Sequence, residues 1–246
     1  MRIYRADLHI HTLLSPCGDL EMSPANIVAK AKEKQLDIIG ITDHNSTLHG
    51  RLTQKLAEKE GITVICGAEV NTKEEVHCLA FFETDVTLAL FQKFLEKQLP
   101  PVKNDIHRFG YQVVIDEEEN IIDEAPYLLL TGLYAGIDKV EEVVHELGGI
   151  FIPAHVDRPY YGLLSQLGFV PPDLKAEALE ISRHTIPDEF DRQQGLKGKY
   201  TFLKNSDAHY LKDVGRAYTE MWLEAPTFSE IKMALANENG RYVKIK

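Results

Sequence analysis

The chain has 246 residues, of which 44% are hydrophobic and 26% charged, and its formal net charge at pH 7 is −11. This length and composition suit one soluble α/β domain, and the negative charge disfavours a general binding surface for long nucleic acid. No apolar run is long enough to span a membrane, and no signal-peptide pattern occurs. The three cysteines lack paired spacing, which predicts reduced thiols in a cytoplasmic protein. We therefore expect neither a membrane nor long nucleic acid as a partner.

The first predicted strand covers residues 2–10 and carries its polar side chains at odd positions. His9 and His11 should therefore point the same way from the strand end. Two neutral imidazoles on one face can hold zinc, manganese or iron. Asp7 lies on the same face, and Asp43 precedes another histidine. Each is expected either to orient an imidazole through its second nitrogen or to make a structural hydrogen bond.

Strands and helices then alternate along the chain, with capping residues at several predicted helix starts. The predicted helices cover residues 23–35, 47–60, 138–147 and 227–239, and the later strands cover residues 37–42, 62–66, 76–82, 150–154, 178–181, 200–204 and 220–224. Most of these strands deliver a potential metal ligand at or near an end. Ligands gathered at strand ends are typical of a barrel whose chemistry lies on one rim.

Residues 83–137 interrupt this alternation. They contain a predicted helix over residues 86–97, the breaker Pro100-Pro101 and an acidic turn over residues 116–120. A segment of about 55 residues would be only marginally stable alone. We therefore predict a single domain over residues 1–246, with 83–137 as an insertion or cap within it.

Nine residues at or near strand ends are candidate metal ligands. They are His9, His11, Asp19, His44, Glu69, His77, His155, Asp207 and His209. Mixed imidazole and carboxylate ligands suit Mn, Zn or Fe better than Mg or Ca. Because nine ligands are too many for one ion, we expect two or three divalent metal ions with a bridging carboxylate. Two ions about 3.5–4 Å apart are the usual arrangement for hydrolysis of phosphate esters.

The motifs occur in the order Asp-Leu-His-x-His, Thr-Asp-His-Asn, Gly-x-Glu, an isolated histidine, Ala-His and Ser-Asp-Ala-His. As a set, they resemble the PHP phosphoesterase family, named after polymerase and histidinol phosphatase. The resemblance covers residues 6–83 and 148–224. It implies an α/β fold, a distorted (β/α)7 TIM-like barrel with up to three divalent ions on its C-terminal rim, and a short insertion between the fourth and fifth metal motifs.

The resemblance also implies three ion positions, each with its own ligands. The first would be held by His9, His11, Glu69 and Asp207, the second by Glu69, His77 and His155, and the third by Asp19, His44 and His209. Asp19 departs from the family pattern, since the common Ser-Asp-Gly is replaced by Ser-Pro-Cys-Gly-Asp. Glu21 is the alternative ligand at that position.

The activity implied by the resemblance is that of a metal-dependent phosphoesterase. The substrate would be a small phosphorylated metabolite or nucleotide, either a phosphomonoester or a short phosphodiester, attacked by a metal-bridged hydroxide. Glu69, Asp207 and His209 are the expected catalytic residues. The alternatives are a histidinol-phosphate phosphatase and a non-catalytic metal-binding module. An amidohydrolase-like barrel would need a bridging lysine, and no lysine occupies a matching strand end.

Several other polar residues receive weaker predictions. Arg158, Arg183 and His184 follow predicted strand ends, where each is expected to contact a substrate phosphate or to be a solvated loop residue. His49 and His145 fall inside predicted helices and are expected to be surface residues or to have local partners.

Overall fold

The computed structural model describes residues 1–245, which form eleven strands, eight α-helices and one 3-10 helix. The strands are β1 Arg2–Ile10, β2 Ile38–Ile41, β3 Thr63–Asn71, β4 His77–Phe82, β5 Val113–Ile115, β6 Ile121–Glu124, β7 Ile150–Pro153, β8 Ala178–Glu180, β9 Thr201–Leu203, β10 Thr219–Leu223 and β11 Tyr242–Lys244. The helices are α1 Pro24–Glu33, α2 Gly50–Glu58, α3 Asp85–Gln98, α4 Ile106–Phe109, α5 Ile137–Glu146, α6 Leu163–Leu167, α7 Pro187–Gln194 and α8 Phe228–Leu235, with the 3-10 helix at Leu211–Asp213. Within this part of the chain, no helix has the length and apolar character needed to cross a membrane.

The main sheet has seven strands in the order β11-β10-β1-β2-β3-β4-β7. The β1-β2-β3 pairs are parallel, as the helical crossovers α1 and α2 require. The β3-β4, β4-β7 and β1-β10 pairs are antiparallel. A separate parallel pair, β8-β9, completes the architecture around the site.

The predicted α/β class is confirmed, but the sheet is open, and its strand pairing does not confirm the predicted distorted (β/α)7 barrel. One reason is the tight connection from β3 to β4, where the backbone N–H of Glu75 donates to Thr72 O, since a hairpin replaces a helical crossover there. Individual backbone hydrogen bonds and a shared hydrophobic cluster join the β8-β9 pair to the main sheet. Val156 N donates to Glu180 O, and His11 N donates to Ala208 O.

The core lies on both faces of the sheet, as the composition of the strands dictates. Tyr4, Ala6 and Leu8 of β1 pack on one face with α8, whose Ile231 is buried. The opposite face is covered mainly by α1, α2, α3 and α5. Ser23 begins α1 by accepting a hydrogen bond from Asn26 N at 3.3 Å. Each fully buried aliphatic side chain contributes about 1.5–3 kcal/mol, so this packing fixes the strand ends that carry the polar residues.

The segment 83–137 contains α3, α4 and a β5-β6 hairpin that the sequence did not predict. The acidic turn over residues 116–120 joins the two hairpin strands. β5 packs its buried side chains against Leu13 and Leu14, which directly follow the end of β1. The segment is therefore in contact with the loop that leaves the histidine-bearing strand.

Candidate metal centre

Polar side chains from seven places in the fold converge at one end of the sheet. His9 lies in β1, His11 follows it, and His44 follows β2. Glu69 lies within β3 and His77 begins β4. The remaining residues follow β7 and β9, and they are His155, Asp207 and His209. All but Asp207 and His209, which are partly exposed, are buried.

Glu69 is the centre of this cluster. Imidazole nitrogens lie between 2.9 and 3.3 Å from its two carboxylate oxygens. These nitrogens belong to His9, His11, His44, His77 and His155. Asp207 provides the second carboxylate, with Oδ1 at 3.3 Å from Nε2 of both His9 and His11.

Within residues 1–245, the donor atoms form three groups whose members all lie within 4.8 Å of one another. The groups are His9, His11, Glu69 and Asp207; His44, Glu69 and His77; and His11, His44 and His209. The first group has the membership that the family resemblance implies. The second contains His44 in place of His155, whose Nε2 still lies 3.1 Å from Glu69 Oε1. The third contains His11 in place of Asp19.

The donor atoms leave hydrogen-bonding capacity unused that divalent cations would satisfy. Four buried atoms here have no hydrogen-bond partner, namely His44 Nδ1, Glu69 Oε2, His155 Nδ1 and Asp207 Oδ1. A buried polar atom left without a partner costs about 1–3 kcal/mol. A bound cation would satisfy the carboxylate oxygens and the imidazole lone pairs together, and a mixed nitrogen and oxygen set suits Zn, Mn or Fe.

Charge coupling inside the cluster is strong. Burial disfavours the charged form of His11, but Asp207 and Glu69 outweigh it and raise its pKa to about 9. Burial likewise opposes a charge on His9, yet the carboxylates around it, Glu180 foremost, raise its pKa well above the usual range. Burial and the neighbouring imidazolium of His11 lower the pKa of His209 to about 4, so that its ring is neutral at pH 7.

Backbone strain is concentrated at the same place. Asn45, His155 and Asp207 have φ values of 46°, 30° and 50°, in the left-handed region that non-glycine residues rarely adopt. The register of the β1-β2 pair also shifts between Asp7 and Ile10, beside His9. Such strain persists only where the surrounding structure enforces it, and it is frequent at functional sites.

Glu180 is a site residue that sequence reasoning missed. Its carboxylate accepts hydrogen bonds from His9 Nδ1 at 3.1 and 3.2 Å and from Asn205 Nδ2 at 2.8 Å. Asn205 in turn accepts from Leu8 N at 2.9 Å, which fixes its amide. Because His9 donates through Nδ1, its Nε2 faces Glu69, at 3.2 Å from Oε1. The only sequence signal was a carboxylate inside an otherwise apolar predicted strand.

Asp7 makes a structural hydrogen bond and does not orient an imidazole. Its two oxygens each accept a backbone N–H at 2.9 Å, from Ser206 and Gly215. Burial raises its pKa to about 6 despite these bonds. Asp7 therefore fixes the loop that carries Asp207.

Asp43 orients His11 indirectly, through the hydroxyl group of Ser15. Its oxygens accept from Thr12 N and Thr12 Oγ1, both at 2.8 Å, and from Ser15 Oγ at 2.7 Å. Since the Ser15 hydroxyl donates to Asp43, its oxygen accepts from His11 Nδ1 at 3.0 Å. The proton of His11 is thereby placed on Nδ1, and Nε2 faces the two carboxylates of the cluster.

His49 extends this chain of hydrogen bonds to the insertion. It lies just before α2 and is fully buried, with local partners rather than solvent around it. Its Nε2 accepts from Ile115 N at 3.1 Å, so Nδ1 donates to Thr12 Oγ1 at 2.7 Å. A backbone N–H of the insertion is thus connected to the support of His11. His145 is half-buried on α5 and contacts Glu177 at 3.2 Å.

Asp19 and Glu21 are the two candidate ligands in the motif that differs from the family pattern, and neither belongs to the three donor groups. Asp19 Oδ1 accepts from Glu21 N at 2.8 Å, and the Glu21 side chain is exposed. The backbone N–H of Asp19 donates to His209 O at 2.9 Å, so its loop is next to the site. A ligand role for Asp19 stays a prediction.

The three residues predicted to contact substrate line two adjoining cavities. Arg158 forms an ion pair with Asp207 and lines a cavity of about 470 Å³ over the metal-ligand cluster. Arg183 and His184 are exposed and line a neighbouring cavity of about 350 Å³. Tyr161 stacks on His77 at 4.5 Å and gives the larger cavity an aromatic wall.

Comparison with protein families gives two matches. The PHP domain description matches residues 7–186, and the PHP-associated description matches residues 199–239. The uncharacterized protein YqxK of Bacillus subtilis is 26% identical over 273 residues, covering 98% of this chain and 64% of the relative. The uncharacterized protein MJ1587 of Methanocaldococcus jannaschii is 36% identical over 94 residues, covering 35% of this chain and 55% of the relative. The chain thus spans less than two thirds of YqxK.

Solved structures share the fold. The lesion-specific endonuclease PfuEndoQ from Pyrococcus furiosus aligns with a TM-score of 0.75 at 22% identity, over 98% of this chain and 58% of that one. An Endonuclease Q complex with a 27-mer duplex carrying an abasic lesion gives 0.72 at 24% identity, with the same coverages of 98% and 58%. A putative metal-dependent phosphoesterase from Bifidobacterium adolescentis gives 0.55 at 18% identity, over 83% and 87%.

These structures correct one expectation. We expected long nucleic acid to be excluded as a partner, and this exclusion is wrong because a protein of the same fold forms a complex with a 27-mer duplex substrate that has an abasic lesion at the active site. Net charge is a property of the whole chain and does not describe the local field around a site that binds cations. The order of the motifs, the convergence of their side chains and the match over residues 7–186 together lead to one conclusion. The chain belongs to the PHP domain family.

Proposed function

We propose that this chain hydrolyses a phosphomonoester or short phosphodiester of a nucleotide or similar phosphorylated molecule, using two or three divalent ions. PHP family members are metal-dependent hydrolases of phosphoester bonds. One observation carries the proposal. Five imidazoles surround the Glu69 carboxylate at 2.9–3.3 Å, while its Oε2 has no hydrogen-bond partner.

The proposed ligands follow the three donor groups. A first ion would be held by His9, His11, Glu69 and Asp207, a second by Glu69 with His77 and either His44 or His155, and a third by His209 with His44 and either His11 or Asp19. Bound divalent ions supply a nucleophile from water at neutral pH and offset the charge of the phosphate oxygens. Mn, Zn and Fe suit this donor set.

The protein's own residues orient the metal-binding nitrogens and supply a positive charge for a phosphate group. Glu180 and Ser15 hold the Nδ1 protons of His9 and His11, so both Nε2 atoms face the cluster and would bind a cation once deprotonated. Arg158 neutralises Asp207 in the absence of a cation. With a cation held by that carboxylate, the guanidinium would be available for a phosphate oxygen.

The cavity supports a substrate of nucleotide size. Its volume of about 470 Å³ lies within the range of small-molecule sites. Pro159, Tyr160 and Tyr161 give one wall an apolar and aromatic surface suited to a base or another flat group.

We further infer that the insertion covers one side of this site. Leu130 lines the cavity. The Asn45 amide donates to the carbonyls of Leu129 and Thr131 at 2.8 and 2.9 Å, which ties the insertion to the residue after His44. Residues 83–137 would then form part of the wall of the substrate cavity.

Metal analysis combined with a phosphate-release assay tests the function. The purified protein is stripped of metal, reloaded with Mn, Zn or Fe(II), and assayed on 4-nitrophenyl phosphate, its bis-ester and nucleotides. Glu69→Gln and Asp207→Asn should lose metal and at least about 100-fold in kcat/KM, since each removes a charged donor. Glu118→Gln, a charge-matched change in an exposed turn, should match the wild type.

Two results would overturn the proposal. One is a metal-loaded wild type that is inactive on all three substrate types, which would favour a non-catalytic metal-binding module. The other is wild-type activity in both site variants.

A further inference from the structure

His49 is a fully buried histidine outside the three donor groups. Ile115 N, in the insertion, donates to His49 Nε2 at 3.1 Å, and His49 Nδ1 lies 2.7 Å from Thr12 Oγ1. Both ring nitrogens therefore have partners inside the protein. Burial lowers the pKa of His49, so its ring is neutral at pH 7 and carries one N–H. The position of that proton decides what the ring contributes to Thr12.

The insertion fixes this proton on Nδ1. A backbone N–H can only donate, so the contact with Ile115 N makes Nε2 of His49 an acceptor and leaves the proton on Nδ1. Nδ1 then donates to Thr12 Oγ1. With the proton on Nε2 instead, Nδ1 would compete with Asp43 for the hydroxyl proton of Thr12. Strand β5 therefore sets the direction of the next hydrogen bond in the chain.

That direction extends to the carboxylate of Asp43 and from there to His11. A hydroxyl has one proton to donate, and Thr12 donates it to Asp43 Oδ2 at 2.8 Å. The other carboxylate oxygen, Oδ1, accepts from Thr12 N at 2.8 Å and from Ser15 Oγ at 2.7 Å. These three donors hold the buried carboxylate in place. Because the Ser15 hydroxyl has donated its proton, its oxygen accepts from His11 Nδ1 at 3.0 Å.

We propose that His49 is a positioning residue for the metal centre, which transmits the attachment of β5 to the orientation of the His11 ring. This inference rests on the metal binding in the proposed function and not on hydrolysis. A ring held at Nδ1 presents Nε2 in a fixed direction, and loss of such a support typically weakens metal binding about 10- to 100-fold. Since His49 acts through three intermediate residues, we expect the lower end of that range, about tenfold.

Two replacements of His49 separate support of His11 from attachment of β5. His49→Asn places an amide N–H near the position of Nδ1 but ends short of Ile115 N, whereas His49→Gln places a carbonyl oxygen near the position of Nε2 and has no donor at the position of Nδ1. Competition with a chelator, with Mn or Zn as the probe, measures the dissociation constant of each variant. His49→Asn should keep most of the wild-type affinity, and His49→Gln should bind the metal about tenfold more weakly.

A residue that only attaches β5 would give the reverse order, because glutamine keeps an acceptor for Ile115 N and asparagine loses it. Wild-type metal affinity in His49→Gln, or an equal loss in both variants, would therefore overturn the proposal. The control is His145→Gln, which removes a half-buried ring that contacts Glu177 outside the site. This variant should leave metal affinity unchanged.

Thr12 provides a second test that does not depend on the folding of the His49 variants. Both residues are fully buried, so circular dichroism is used to verify that each variant folds. Thr12→Ser keeps the hydroxyl and should retain most of the metal affinity, whereas Thr12→Val removes it and should weaken metal binding about 10- to 100-fold. Adding His49→Gln to Thr12→Val should cause no further loss, because both changes interrupt the same chain of hydrogen bonds. Additive losses would contradict a single chain.

Metal affinity and hydrolysis together separate this proposal from the proposed function. A wild type that binds metal but hydrolyses no phosphoester would overturn the phosphoesterase, while weaker binding in His49→Gln than in His49→Asn would still support the role of His49. An active wild type whose activity and metal affinity both persist in His49→Gln would overturn the role of His49 alone. A wild type that takes up no metal would overturn both.

Discussion

The His9 ring faces the cluster through Nε2 because Glu180 holds the proton on its other nitrogen. A carboxylate in this position fixes the ring orientation and makes it a better donor. Glu180→Ala should therefore weaken metal binding by about 10- to 100-fold, as measured by competition with a chelator. Glu177→Ala removes a similar carboxylate from the His145 ring, outside the site, and should leave metal affinity unchanged. Unchanged affinity in Glu180→Ala would show that His9 needs no such support.

Metal binding should release protons at neutral pH. In the metal-free protein the pKa of His11 is raised to about 9, so its ring is protonated at pH 7. A ligand ring must be neutral, and the bound cation therefore displaces that proton. The apparent affinity for the metal ion should fall as the pH drops below about 9. Above that value, His11 should add no pH dependence. Titration calorimetry in buffers of different ionisation enthalpy measures the released protons, and an identical heat in all buffers would contradict this.

At the residue scale, the sequence predicted the donors better than their supports. The spacing of His9 and His11 was sufficient to predict that both rings point the same way, since a strand places alternate residues on one face. Glu180 could not be assigned in the same way, because its partner His9 lies 171 positions away in the chain. For Asp43 two roles were expected, orientation of an imidazole or a structural hydrogen bond, and neither expectation included Ser15, which lies between Asp43 and His11. Contacts between distant segments depend on the fold and leave no local pattern.

At the scale of elements, the insertion contacts the loop before Asp19 at a glycine that ends α4. Gly110 has a φ of +101°, and a Cβ at this position would lie 2.1 Å from Pro16 O. Gly110→Ala should therefore displace the insertion from the loop that carries Ser15. The backbone angles of Gly110, φ 101° and ψ −179°, fall in a region that is almost restricted to glycine and cost another residue about 1–3 kcal/mol, and the clash adds to this. We expect a lower Tm and weaker metal binding, measured by calorimetry and chelator competition.

Gly61→Ala is the matched control for this change. Gly61 has a φ of +69°, but nothing lies within 4 Å of a Cβ placed there. This variant should lose only the cost of the strained φ, about 1–2 kcal/mol, and keep its metal affinity. Equal behaviour of the two variants would mean that the insertion does not hold the Pro16 loop in place.

The elements missed from the sequence were short or lacked periodicity. β6 has all four residues exposed, so it shows no alternation of apolar and polar side chains. α6 has five residues, too few for a helical repeat to be recognised. The predicted distorted (β/α)7 barrel is not confirmed, for a different reason. Strand order and direction depend on connections such as the β3-β4 hairpin, whose pairing is antiparallel.

At the scale of the whole molecule, net charge was a poor guide to partners. The sum of −11 covers the entire chain, whereas the cleft beside the metal centre concentrates Arg158, Arg183 and Arg216. Cations held by Glu69 and Asp207 would make the local field more positive still. A ligand responds to that local field at close range, because solvent ions screen charges beyond about 10 Å.

Metal binding should stabilise the whole molecule, since only the native fold brings the donor groups together. Glu69 Oε2 and Asp207 Oδ1 are buried without a hydrogen-bond partner, which weakens the metal-free fold. A ligand at 100 times its Kd adds about 2.7 kcal/mol to the free energy of unfolding. For a chain of this size, 1 kcal/mol corresponds to about 2–4 °C, so Tm should rise by about 5–11 °C.

Differential scanning calorimetry with and without Mn or Zn measures this rise. Glu69→Gln should show little or no rise, because it removes the charge shared by two of the three donor groups. Glu118→Gln should rise as much as the wild type, since Glu118 lies in the exposed turn of the insertion. A full rise in Glu69→Gln would place the stabilising ion elsewhere in the molecule and remove Glu69 from the centre of the site.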